Sequence, residues 1–137
     1  MSSSDFAAEM LQLAQEAPAF QPSAIYDPDG DCIEFIAKPD SFYGERIDDL
    51  VTVYYSHESK EIVGSLIKSV SKFYREVLQR VPGFKIEIHD GRVRLVHIFR
   101  ARLWTSDLGP EDVVTVTYQK LLRVAEDTNV EAELACA

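Results

Sequence analysis

An α+β domain is the fold class this chain predicts: a four-stranded antiparallel meander with packed helices, and N-terminal and C-terminal helices added. Two observations carry that expectation. In the first half, β-branched and aromatic runs alternate with clusters of turn residues, the signature of paired strands. In the middle, Val70, Phe73, Tyr74, Val77, Leu78 and Val81 recur at the spacing of one helix face. A length of 137 residues suits a single domain. Residues 1–137 therefore read as one unit, with a β-meander half at 24–72 and a mixed strand and helix half at 84–128.

Taken in order, the first element is an amphipathic helix from Ser4 to about Glu16, because Phe6, Met10, Leu13 and Ala17 share a face and Pro18 stops it. Ala24–Tyr26 and Cys32–Ala37 flank the turn residues Asp27-Pro28-Asp29-Gly30-Asp31. A second hairpin joins Leu50–Tyr55 to Glu61–Ile67 through Ser56-His57-Glu58-Ser59-Lys60. Ser69 is the expected cap of the central helix and Pro82-Gly83 its end. Phe84–Ile88 alternates as a strand, and Asp90-Gly91 turns the chain into Arg92–Leu95. Residues 95–104 fit either periodicity, and their Arg, Ala and Leu content tips them to a helix from about Leu95. Gly109-Pro110-Glu111-Asp112 opens the last helix, with proline at its first position and Val114, Tyr118, Leu121, Leu122 and Ala125 as its buried stripe. Val113–Tyr118 is β-prone enough to be a strand instead. The tail from Asn129 reads as frayed.

The formal charge of −9 disfavours nucleic acid and anionic lipid, both polyanions that repel such a chain at long range. The charge is uneven. Asp27, Asp29, Asp31, Glu34, Asp40, Glu45, Asp48 and Asp49 crowd one segment, whereas Lys85, Arg92, Arg94, Arg100 and Arg102 dominate a later one. Asp5, Glu9, Gln12 and Glu16 interrupt what a signal peptide would keep apolar, and no apolar run approaches the roughly 18 residues of a membrane span. Cys32 and Cys136 have neither disulfide-framework nor metal-ligand spacing. The expectation is a cytoplasmic protein with no membrane contact.

Motifs that carry chemistry are missing. There is no Gly-x-Ser-x-Gly, phosphate loop, dinucleotide fingerprint or Cys-x-x-Cys. No catalytic residue, metal ligand or cofactor is assigned, and the reading leans away from an enzyme. Asp27-Pro28-Asp29-Gly30-Asp31 offers alternate carboxylates, but a calcium loop needs glycine sixth and an acid twelfth, where this chain has Cys32 and Lys38. A hairpin turn is the plainer use. His57 and His89 fall at predicted turns, and His97 in an apolar run reads as a hydrogen-bonded core residue. Cys32 reads as a buried strand cysteine.

Tyr26-Asp27-Pro28-Asp29-Gly30-Asp31, the acidic approach Asp48-Asp49 to Leu50-Val51-Thr52-Val53, and Glu61-Ile62-Val63-Gly64-Ser65-Leu66-Ile67 before Ser69 and Ser71 resemble a family of short bacterial proteins, domain of unknown function 2283. The resemblance covers about residues 24–72. It implies strands and turns more than chemistry. Two departures stand out: a long insertion around Lys38 to Gly44, and Tyr54-Tyr55 where the family's third strand is usually charged. Proteins similar to that family look like partners of small toxins, which implies an antitoxin-like role.

The function expected first is a macromolecular interaction module, a homodimer or a binder of another protein. Its interface residues would be Phe42, Tyr43, Tyr54, Tyr55 and Trp104, of types enriched at interfaces, with Arg100 and Arg102 at the rim. Two alternatives belong to other classes. One is a small-ligand or enzymatic domain with loop 38–46 as a lid over a pocket. The other is RNA binding through Arg92, Arg94, Arg100 and Arg102 interleaved with Phe99 and Trp104, which the acidic balance opposes.

Overall fold

The computed structural model describes residues 20–80, 88–89 and 92–133, with the backbone alone at 78–80 and 88–89. The expected helix at 4–16, strand residues 84–87 and the Asp90-Gly91 turn lie outside the described residues. Strands β1 (Ser23–Asp27), β2 (Cys32–Ile36), β3 (Phe42–Arg46), β4 (Val51–Ser56) and β5 (Ile62–Ile67) precede helix α1 (Val70–Arg80). Strands β6 (Ile88–His89) and β7 (Arg92–Arg94), helices α2 (Leu95–Thr105) and α3 (Val113–Thr128), and strand β8 (Glu131–Glu133) follow.

The class is α+β, but the four-stranded meander does not form. One mixed sheet runs β3-β4-β5-β2-β1-β8-β7-β6. The hairpin β1–β2 forms as expected, with Tyr26 opposite Ile33. β2 then pairs with β5 instead of its successor, Phe35 opposite Ser65. Burial explains this choice: β5 is buried along almost its whole length and so belongs at the centre of the sheet. β3 is mostly exposed and takes the edge. It is formed by residues read as an insertion and lid, so the 38–46 loop is in large part an edge strand.

One face of the sheet is the core face. Ile33, Phe35, Val51, Val53 and Ile67 are fully buried there, in one cluster with Phe73 and Val77 of α1, Leu95, Ile98 and Phe99 of α2, and Tyr118 and Leu121 of α3. Residues at the intervening positions, Glu34, Thr52 and Leu66, lie across from one another on the other face and are exposed or half-buried.

The turn Asp27–Asp31 supplies what Ser69 was expected to supply. Asp27 Oδ1 accepts from the Asp29 amide at 3.0 Å, and Asp31 adopts a left-handed φ of 50°. Its carboxylate then accepts from the Ser71 amide at 3.1 Å, the Ser71 hydroxyl at 2.8 Å and the Tyr26 hydroxyl at 2.8 Å. It therefore caps α1, while Ser69 itself turns the chain with φ 51°. Burial pushes the Asp31 carboxyl up, but the hydrogen bonds from Tyr26 and Ser71 and the nearby Arg75 outweigh it and hold the group below its ordinary value. The sign follows: the stabilisation is present above the unfolded carboxylate pKa and is lost as pH falls through the lower folded one. Asp31→Ala is expected to cost about 1 kcal/mol at neutral pH. Urea melts should show the loss shrinking in strong acid; a loss that stays constant with pH would contradict the cap.

Residues 95–105 are helical, because Leu95, Ile98, Phe99 and Ala101 can all be buried together only at that period. α3 starts later than expected. Asp112, not the segment at Pro110, is its N-cap, accepting from the Val114 amide at 2.8 Å, and Gly109–Asp112 forms a turn before it. The β-prone Val113–Tyr118 run is helical, since Tyr118, Leu121 and Ala125 then share one buried face, and packing overrides intrinsic preference. Asn129 closes the helix with φ 50° and its amide on the Ala125 carbonyl. The frayed tail is corrected as well. Residues 131–133 form β8, which lies parallel to β1 and antiparallel to β7 and so joins the two halves of the sheet. Ala132 is fully buried between them.

Candidate interaction surface

The outer face of the sheet is built around Tyr54. Its neighbours across the ladder are Gly44 and Gly64, so neither adjacent strand raises a side chain beside the ring. The ring lies down over them, stacks on Phe42 at 4.3 Å between centroids, and its hydroxyl donates to Glu34 Oε2 at 3.2 Å. Tyr54 is consequently only 9% exposed, which corrects its expectation as an exposed interface ring. Burial, and then the Glu34 carboxylate, push its hydroxyl up to about 12.

The open part of this face carries apolar side chains beside the exposed Glu34. Ile25, opposite Glu34, is 66% exposed, and Phe42 is 38% exposed. Leu66 and Ile36 lie half-buried on the same face. Phe42 also begins β3, the first strand in the sheet order, whose only strand neighbour among the described residues is β4. Its outer backbone donors and acceptors face no other strand of the described residues. Gly44, Glu45 and Arg46 complete the edge, the last held by Asp49 at 2.7 Å.

Tyr43 and Tyr55 point the other way. They stack at 5.7 Å on the helix-bearing side, and both are half-buried. His57 tilts against Tyr43 at 5.3 Å. A second exposed apolar group surrounds the α2–α3 connection: Trp104 at 67%, Leu108 at 47% and Val113 at 77%. Ile25, Leu108 and Val113 were missed from sequence. The available signal was that Ile25 stands between Ala24 and Tyr26, the half-buried members of the β1 alternation that face the core.

Three of the arginines pair with acids of the chain itself. Arg94 meets Glu131 at 3.5 Å, Arg100 meets Glu126 at 3.8 Å and Arg102 meets Asp48 at 3.1 Å. Arg94, Arg100 and Arg102 of the expected rim and RNA-binding sets thus each stand beside an acid of the chain itself. Arg92 is exposed on β7. His97 Nδ1 is buried without a hydrogen-bond partner among the described residues, contrary to the hydrogen-bonded core histidine expected. Cys32 is half-buried, and burial followed by Asp27, Glu34 and Asp31 pushes its thiol up, away from a nucleophilic thiolate. Among the described residues no cluster of three His, Cys, Asp or Glu side chains could hold a metal, and no helix is long and apolar enough to cross a membrane.

No protein family, curated protein or solved structure matches this chain. The resemblance described for residues 24–72 stands on its quoted residues alone.

Proposed function

We propose that this protein is a macromolecular interaction module that self-associates through the outer sheet face and the β3 edge. The observation that carries this reading is that Ile25 and Phe42 are exposed on the outer sheet face, which ends at a strand whose outer edge pairs with no strand among the described residues. Apolar area left in water is a driving force for association, and an unpaired edge offers a ladder of hydrogen bonds to an added strand. Glu45 and Arg46 guard the far half of β3 against indiscriminate pairing, so the Phe42 end is the productive one. A protein partner of another kind, including a small toxin in an antitoxin-like pairing, would use the same face. A second reading, small-ligand binding, is favoured by the groove between the β4–β5 hairpin and α3.

Sedimentation at micromolar concentration tests the first reading. The wild type is expected at dimer mass and Ile25→Lys/Phe42→Lys at monomer mass, with the circular dichroism of the folded chain retained and a lower melting temperature because dimerisation no longer stabilises it. A wild type that stays monomeric at every concentration overturns self-association, and a double variant that remains dimeric overturns this surface.

A further inference from the structure

On the helix-bearing side, a groove of about 460 Å³ lies between the β4–β5 hairpin and the C-terminal half of α3. This size falls within the range of small-molecule sites. Its walls include apolar Ala37, Tyr55, Ile62 and Val124, with Ala37 and Ile62 buried. Its polar lining is unlike the rest of the chain. Lys38, Lys60, Lys120 and Arg123 stand there against Glu61 and Asp127, an excess of two cations in a protein of net charge −9.

The cations are unevenly engaged. Lys38 reaches Glu61 at 3.7 Å, with both side chains mostly in water, and Lys60 lies 5.3 Å from the Tyr43 ring centre. Lys120 and Arg123, three residues apart on α3 and hence on one face, enter no ion pair among the described residues. Lys60 carries a second signal: its φ is 62°, a left-handed conformation that glycine or asparagine adopts at lower cost. The hairpin turns at this residue, and Lys60 lines the groove.

We propose that this groove binds a small organic anion, a phosphomonoester or carboxylate on an aromatic or short aliphatic body. The body lies on Tyr55, Ile62 and Val124, and the anionic head is held by Lys120, Arg123 and Lys60. Position along α3 orients it. Asp127 and the carbonyl end of the helix dipole repel an anion, whereas Lys120 stands about 10 Å away along the axis. The head therefore sits toward Lys120. This site is separate from the outer sheet face and does not require self-association.

Phenyl phosphate, inorganic phosphate and phenol, titrated into isotope-labelled protein and followed by amide chemical shifts, distinguish body from head. Phenyl phosphate is expected to saturate one site, moving Lys38, Lys60, Ile62 and Val124, with inorganic phosphate and phenol each binding at least about tenfold more weakly. Benzoate should compete for the same amides. Lys120→Glu/Arg123→Glu should weaken phenyl phosphate by at least about tenfold, and Lys120→Gln/Arg123→Gln by less, with melts unchanged because both side chains are exposed. Shifts that never saturate, or saturable binding that the charge reversal leaves intact, overturn the site. Inorganic phosphate binding as tightly as phenyl phosphate overturns the role of the apolar walls.

Discussion

Gly64→Ala is expected to destabilise the protein by about 3 kcal/mol or more, enough to unfold much of a marginal domain. A Cβ at this position would collide with the Phe35 carbonyl oxygen and come within 3.2 Å of Phe35 C and 3.3 Å of Ile36 Cα. All three atoms are backbone of the neighbouring β2, so no rotamer change relieves the contact. The ladder between β4 and β5 shifts register at Tyr54 and Tyr55, and such irregularities re-aim the backbone locally. Gly44→Ala is the control. There the nearest atom is the Thr52 side-chain methyl at 3.2 Å, which has room to adjust, and the loss should stay below about 1 kcal/mol. Equal losses in urea melts for the two variants would contradict the close approach.

Asp48→Ala should cost about 3 kcal/mol, because one carboxylate organises four donors. Oδ1 accepts from the Leu50 and Val51 amides at 2.9 and 2.8 Å. Oδ2 accepts from the Tyr118 hydroxyl at 2.6 Å and Arg102 Nη2 at 3.1 Å. Asp48 thus fixes the start of β4 and ties it to α2 and α3. Burial, then the hydrogen bond to Asp48, push the Tyr118 hydroxyl well above its ordinary value, so it remains a donor across the physiological range. Asp48→Asn should lose less, since it keeps the shape and can accept from the amides. A double-mutant cycle of Asp48→Ala with Tyr118→Phe should give a coupling of at least about 1 kcal/mol. Additive losses would mean the carboxylate acts on β4 alone.

The α+β class, the β1–β2 and β4–β5 hairpins, α1 and the helical state of residues 95–105 were legible because each rests on local periodicity or turn chemistry. Phe73 and Val77 are core residues for the same reason: their spacing alone puts them on one helix face. The sheet order was not legible, because pairing β2 with β5 depends on which strand has two buried faces, a property of the assembled layers. The aromatic set was legible as residue types but not as an exposed set. Tyr54 is buried because glycines stand on both sides of it in neighbouring strands, and register decides that.

Composition and periodicity determined an acidic α+β chain with its helices amphipathic and its turns placed. The tertiary structure alone decided that Asp48 and Arg102, from segments read as opposite charge runs, meet at 3.1 Å. It alone placed Asp31 at the start of α1 and made residues 131–133 the strand between the two halves. These are contacts between residues far apart in sequence: their energy comes from burial and pairing that exist only after the chain has closed the intervening loops, so no local pattern announces them.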